Sequence, residues 1–467
     1  MTRRSIIRVR LLLASLLFIL LLAGAGLVNL VFPAISGFGA KNLCSAHFLQ
    51  HRQAEEVLRE DLSEFPISLG HFEVQDQSAS GSVFGFAFKK AFYRKGLGCT
   101  LVSSTSEANL RQQTLVKPKV PDINQDQLYW PDGNKLKDTV YPELDAKKLW
   151  TVINSLFHEL NTAGRACKTR SVLVLYKGQI VGEQYASGFN RNTLMPAWSM
   201  TKSFTSALCG VLVKQQKLQV DCTLLRKEWR DTLRSIRVKD LLQQCSGLDF
   251  SEIYSRPSSV TRMLYQEDDM GAYASSLPLK EKPGSVFEYS SGNSNILGAY
   301  LRKLIGPEDY AAFPYDQLFY QIKAYSVVLE PDASGTYNAS SYAFASTRDF
   351  ARFAMLYYNV GKWNGEQILE EGWIRESLRP APSDPLGNYA YQFWLNGWSP
   401  EHPGQRSFPD VPSDMFYADG YGGQNIYIIP SRHLIVIRLG LHTIAENTFL
   451  KEVLACFRRD QKTDTIK

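Results

Sequence analysis

Residues 198–206 read Trp198-Ser-Met-Thr-Lys-Ser-Phe-Thr-Ser206. They head a segment running to Leu218 in which Phe204, Ala207, Leu208, Val211 and Leu212 recur at three- and four-residue spacing. That period predicts a helix, closed by the polar stretch Lys214 to Lys217. Ser199 and Lys202 are three residues apart, so on a helix they share a face, one turn apart. A serine hydroxyl is a weak nucleophile until a base takes its proton. A lysine amine can be that base when burial or a nearby cation lowers its pKa. At the start of a helix, backbone N–H groups and the positive dipole end would also face a developing oxyanion. Ser-x-x-Lys is nevertheless a two-letter pattern. Ser199 as an N-cap beside a solvated Lys202 fits the spacing equally well, and context has to decide.

Composition narrows the classes. A chain of 467 residues, 44% hydrophobic and 21% charged, can bury a sizeable core in two or three domains and is not disordered. The net charge of +6 owes much to Arg3, Arg4, Arg8 and Arg10. No other dense basic block occurs before Arg458-Arg459, so no nucleic-acid partner is expected. Residues 11–32 form a charge-free apolar run long enough to cross a bilayer. The arginines on its N-terminal side predict a cytoplasmic N-terminus and an extracytoplasmic remainder, periplasmic in a bacterium. Ala23-Gly24-Ala25 offers a cleavage site, but the apolar run continues through Leu27, Val28, Leu30, Val31 and Phe32. An uncleaved membrane anchor is the expectation.

Seven cysteines are no disulfide framework; in an exported chain Cys44 and Cys99 could pair, and Cys209 reads as a small buried hydrophobe. With no Cys-x-x-Cys and no His-x-x-x-His, no metal site and no cofactor are expected. Asn338-Ala339-Ser340 is a glycosylation sequon only in a eukaryotic host.

Taken in order, the chain divides into a basic tail (1–10), a membrane anchor (11–32), an irregular, partly β extension (33–145), a main domain (146–460) and a short tail (461–467). Leu149 to Leu160 reads as an amphipathic helix, Ser171 to Tyr185 as a hairpin, Ser346 to Tyr358 as a helix, Asn425 to Leu439 as a second hairpin, and Asn447 to Phe457 as a closing helix. The fold class is therefore α+β: one antiparallel sheet built from both ends of the domain (146–190 and 336–460), flanked by helices, with a helical part over 191–335.

Two further stretches carry chemistry. Pro283-Gly-Ser-Val-Phe-Glu-Tyr-Ser-Ser-Gly-Asn293 puts Tyr289 on a turn of small residues, and Asp419-Gly-Tyr-Gly-Gly-Gln424 leads glycines into a strand, where they often admit a ligand to the backbone. With these on the page, the sequence resembles the serine hydrolases related to β-lactamases and penicillin-binding proteins, in the branch of class C β-lactamases, esterases and 6-aminohexanoate-dimer hydrolases. The resemblance covers about 150–457 and rests also on Val238-Lys-Asp-Leu-Leu-Gln-Gln-Cys-Ser-Gly-Leu248, Tyr289-Ser-Ser-Gly-Asn-Ser-Asn295, Ala345-Ser-Thr-Arg-Asp-Phe-Ala-Arg-Phe353 and Tyr391-Gln-Phe-Trp-Leu-Asn396. It implies Ser199 as the acylated nucleophile, Lys202 as its base partner and Tyr289 as proton shuttle. It implies an oxyanion hole from the N–H groups of Ser199 and Gln424, and substrate contacts from Tyr421, Gly422 and Gly423.

The departures bear on substrate. Tyr289-Ser290-Ser291 replaces Tyr-x-Asn, leaving Asn293 as a substitute contact, and Tyr421 stands where Lys-Thr-Gly would supply a carboxylate-binding lysine. These differences favour a small or linear amide or ester over penicillin. The alternatives are a catalytically silent envelope binding protein and a true β-lactamase or D-alanyl peptidase.

Overall fold

The computed structural model describes residues 12–15, 24–161, 164–223 and 225–458. The N-terminal arginines, Ala23 of the cleavage motif and the tail beyond Arg458 lie outside the described residues. The chain divides into two compact units.

The first unit combines Met1–Gln113 with two short pieces from later in the chain, Ser251–Met270 and Asp332–Gly335. Its centre is helix α1 (Phe32–Phe48), with Pro33 in the first turn, where its missing N–H costs nothing. Four strands, β1 (Gly70–Gln75), β2 (Ser78–Val83), β3 (Phe86–Arg94) and β4 (Gly98–Val102), form an antiparallel meander in that order. Ile35, Leu43, Cys44 and Ala46 of α1 pack into one core with Phe72, Ala79, Ala91 and Cys99 of the strands. Cys44 and Cys99 are joined by a disulfide. The β part of the extension expected over 33–145 is thus a regular meander around a helix, while residues 114–145, largely without regular structure, fall in the second unit. A continuous helix, Gly24–Phe48, is long and apolar enough to cross a membrane by length and composition. Its second half serves as a core helix, whereas Leu27 and Leu30 are exposed.

The second unit holds the expected antiparallel sheet. Its front strands are β5 (Thr169–Tyr176) and β6 (Gln179–Tyr185); the others are β7 (Trp394–Leu395), β8 (Phe416–Gly420), β9 (Gln424–Ile429) and β10 (Leu434–Gly440). The order is β7-β8-β9-β10-β5-β6, so β10 from the C-terminal hairpin pairs with β5 and both ends of the domain share one sheet. Side chains of a strand alternate between faces. Val172, Val174, Tyr427, Ile429, Leu434 and Val436 face the helix Ala146–Ser155 and the closing helix Glu446–Leu454. Both faces are covered, which is why these strands read as nearly unbroken apolar runs. Helix α2 (Thr201–Lys214), helix α3 (Ser291–Ile305) and helix α4 (Thr347–Tyr358) complete the frame; α2 and α4 meet through Phe204, stacked on Phe350 and edge-on to Phe353.

Candidate active site

Ser199 lies in a 3-10 turn, Trp198–Met200, that runs directly into α2. Lys202, one turn on, is 1% exposed. Its Nζ donates to Ser199 Oγ at 3.0 Å, to Ser291 Oγ at 3.0 Å and to the carbonyl of Ser340 at 3.2 Å. The solvated first-turn lysine that spacing alone allowed is excluded: burial and three acceptors hold this amine against the serine. Strand β8 ends beside the same turn. A Cβ on Gly420 would meet the Ala197 carbonyl at 2.4 Å, so only glycine lets the strand lie this close to the nucleophile turn.

Tyr289 arrives from the loop before α3. Lys202 Nζ is 4.8 Å from the centroid of its ring. The ring stacks on Trp394 (5.4 Å, 23°) and meets Tyr389 edge-on (5.8 Å, 85°). Ser290 caps α3 by accepting from the Asn293 N–H at 3.3 Å, and this cap aims Ser291 at Lys202.

The structure does not bring Asn293 to the cleft. Its side chain is 1% exposed, donates to Gln244 Oε1 at 2.9 Å and accepts from Ser246 Oγ at 2.6 Å. Gln392 extends this buried layer, bonding Ser294 through Oε1 at 2.8 Å and accepting from Ser203 Oγ through its carbonyl at 2.7 Å. Of the residues after Tyr289, it is Ser291 that meets the amine. Two adjacent serines gave no sequence signal for which of them would cap and which would reach the lysine. Asn338 of the sequon is also buried, its Oδ1 accepting from the N–H groups of Ser340 and Ser341, so the sequon is not displayed.

The turn between β8 and β9 forms the open side. Tyr421 is 55% exposed and meets Trp198 edge-on at 5.3 Å. Gly422 and Gly423 have φ of +76° and +77°. Gln424 donates through Nε2 to the Gly440 carbonyl at 2.5 Å, which ties its side chain to β10. Beneath the turn lies Arg438, fully buried, which sequence reading missed. Its guanidinium donates to the carbonyls of Gly423 (2.9 Å), His442 (2.7 Å) and Cys167 (3.1 Å) and to Thr169 Oγ1 (2.8 Å). A Cβ on Gly423 would come within 2.4 Å of Nη1. The available signal was a lone charge inside the apolar run Leu434 to Gly440. Burial pulls the guanidinium down to about 10, which leaves it charged at neutral pH.

Asp419 precedes this turn. Burial first, then the charge of Glu446, push its carboxyl up from 3.8 to about 7, against a hydrogen bond from Asn425 (2.9 Å) and attraction to Lys202.

The half-buried serine, the buried lysine and the tyrosine ring are thus carried on an antiparallel sheet flanked by helices, a β-lactamase- and transpeptidase-like fold. The β-lactamase family model matches residues 154–440, and the chain belongs to that family of hydrolases. It is 23% identical over 308 residues to 6-aminohexanoate-dimer hydrolase of Paenarthrobacter ureafaciens, covering 58% of this chain and 72% of that one. A provisionally assigned 6-aminohexanoate-dimer hydrolase from Bacillus anthracis superposes with TM-score 0.52 at 20% identity, over 62% of this chain and 78% of that one. EstCE1, a hydrolase with promiscuous acyltransferase activity, gives TM-score 0.50 at 15% identity, over 67% and 98%. These solved structures bear on the fold alone.

Proposed function

We propose that this chain is a serine hydrolase that cleaves a linear amide or ester through an acyl-enzyme on Ser199. The observation that carries the reading is the buried amine of Lys202, 3.0 Å from Ser199 Oγ, with Tyr289 against it. The reading requires the neutral form of Lys202, in which the Ser199 hydroxyl donates to Nζ; Ser199 Oγ then attacks the carbonyl carbon as its proton passes to that amine. The N–H groups of Ser199 and Gln424 receive the oxyanion. The C–N or C–O bond then breaks as Tyr289, reprotonated from Lys202, delivers a proton to the leaving nitrogen or oxygen. Water attacks the acyl carbon by the reverse relay, releasing the acid and restoring Ser199.

The open side supports the substrate class. Tyr421, with Gly422 and Gly423, replaces a carboxylate-binding lysine with an exposed ring, and Asn293 is committed elsewhere. Trp198 and Tyr421 on one side and Tyr289 and Trp394 on the other present aromatic faces suited to an extended chain. The relative from Paenarthrobacter, named for hydrolysis of a 6-aminohexanoate dimer, agrees with that choice.

The hydrolase unit works outside the cytoplasm, held by an uncleaved N-terminal anchor. The basic flank of the apolar run supports that orientation, and the Cys44–Cys99 disulfide supports an oxidising compartment.

Fluorophosphonate labelling and p-nitrophenyl ester turnover of wild type against Ser199→Ala test the reading. Labelling and turnover confined to wild type are expected. Equal signals from both proteins would leave a silent binder, and nitrocefin turnover matching ester turnover would make the chain a β-lactamase.

A further inference from the structure

We propose that the tip of the β2–β3 hairpin is a second membrane contact, its phenylalanines seated in the lipid interface beside the anchor helix. The inference rests on the anchor reading above. Val83 pairs with Phe86, so the connection is two residues, Phe84-Gly85. Both have positive φ, +50° and +78°. Positive φ at both central residues is the type I′ combination, for which Asn-Gly is the favoured sequence. A bulky aromatic is an unfavourable choice there on conformational grounds. It is equally unfavourable on exposure: Phe84, Phe86 and Phe88 are 69%, 55% and 63% exposed. Three neighbouring rings in water, one of them held in a strained turn, mark a binding surface.

The place of the tip says what covers it. The Phe84 ring lies 6.0 Å from that of Phe32, edge-on. Phe32 closes the charge-free run that begins at residue 11. On its N-terminal side Leu27 and Leu30 are exposed, and from Ile35 onward the helix enters the core of the unit. The aromatic tip therefore sits where the apolar helix emerges. As a helix, a run of this length would span about 33 Å at ~1.5 Å per residue, close to the ~30 Å hydrocarbon core. Phe32 and Phe84 then fall at the membrane boundary, where aromatic side chains gather. A water-facing hairpin has no such reason to pair exposed rings with the exit of an apolar helix.

The test uses the full chain reconstituted in vesicles of phosphatidylcholine with a minor share of phosphatidylglycerol. Phe86→Trp and, separately, Phe88→Trp add an indole at exposed positions, so either variant can serve if the other misfolds. The added fluorescence, with wild type subtracted, is quenched by lipids brominated near the headgroup end of the chain or by aqueous iodide. We expect at least about a twofold loss to the brominated lipid and little loss to iodide. Loss to iodide alone would place the tip in water and overturn the proposal. Protection from both quenchers would mean that protein covers it, and would overturn it equally. Alkaline carbonate extraction separates the two readings: release of the chain from the vesicles sinks anchor and hairpin together, whereas a retained chain with an iodide-quenched tip sinks the hairpin alone.

Discussion

The two sides of Ser199 are built differently. On the side of α2 and α3, polar groups are buried and held in fixed pairs: Lys202 by Ser199, Ser291 and Ser340, and Asn293 by Gln244 and Ser246. On the side of the β8–β9 turn, the ring of Tyr421 stands largely in solvent, and the backbone is fixed from beneath by Arg438. A buried, satisfied network tolerates little change, because an orphaned partner carries the full desolvation penalty. An exposed aromatic can change at small structural cost. On the proposed reading the closed side holds the nucleophile and its proton relay, while the open side supplies an oxyanion donor and the contacts that choose the substrate.

The contrast breaks most directly at the closed side. Ser199→Ala should abolish acyl-enzyme formation, read as loss of the acyl mass shift in intact-protein mass spectrometry. Lys202→Ala should lower kcat for a p-nitrophenyl ester by about 10²–10⁴-fold, the range for losing a positioned base. A variant within a few-fold of wild type would move the base elsewhere.

The next effect comes from beneath the open side. Arg438→Met removes the donors to Gly423, His442 and Cys167 and loosens the turn expected to supply the Gln424 N–H. Losing one oxyanion donor outright costs about 10²–10³ in kcat, so a loosened one should cost about 10–100-fold with KM within about twofold. Gly423→Ala should act in the same direction, since its Cβ meets the guanidinium. A large rise in KM with kcat intact would instead make this turn a substrate-binding element only. Tyr421→Ala should do the opposite, raising KM for linear substrates by about 3–30-fold through lost aromatic contact while leaving kcat within about threefold.

What could be read in advance follows the same division. The serine helix and both hairpins were legible because each rests on local periodicity. Helix α2 ends at Lys214, as its polar closure indicated. The pairing of β10 with β5 is non-local, but two hairpins with apolar faces leave few other arrangements. The N-terminal meander was not legible. Its strands carry Ser, Gly and Lys among their apolar residues, and its core is completed by α1, a helix that begins where the sequence's apolar run ends at Phe32. Ser291 and Arg438 were missed for a different reason. What each does depends on a partner about 90 or 270 residues away, such as Lys202 or Thr169, and no local pattern encodes that.

Asp419 gives the smallest and sharpest test, because it lies on the open strand yet answers to burial. Glu446 adds a second negative charge, Asn425 donates to the carboxyl, and Lys202 attracts it, but burial is the largest influence. With the folded-state value near 7 and the ordinary one at 3.8, the folded protein retains a proton that the unfolded chain releases between those limits. The unfolded state then binds fewer protons, so stability falls as pH rises through that window and levels off above it. Asp419→Asn cannot ionise, and its side-chain oxygen can still accept from Asn425. Melting temperatures of variant and wild type should nearly coincide at about pH 4 and diverge, with the variant higher, by about pH 8. A difference that stays constant with pH would show that solvent reaches this carboxyl freely. The strand would then belong with the exposed turn rather than with the buried chemistry behind it.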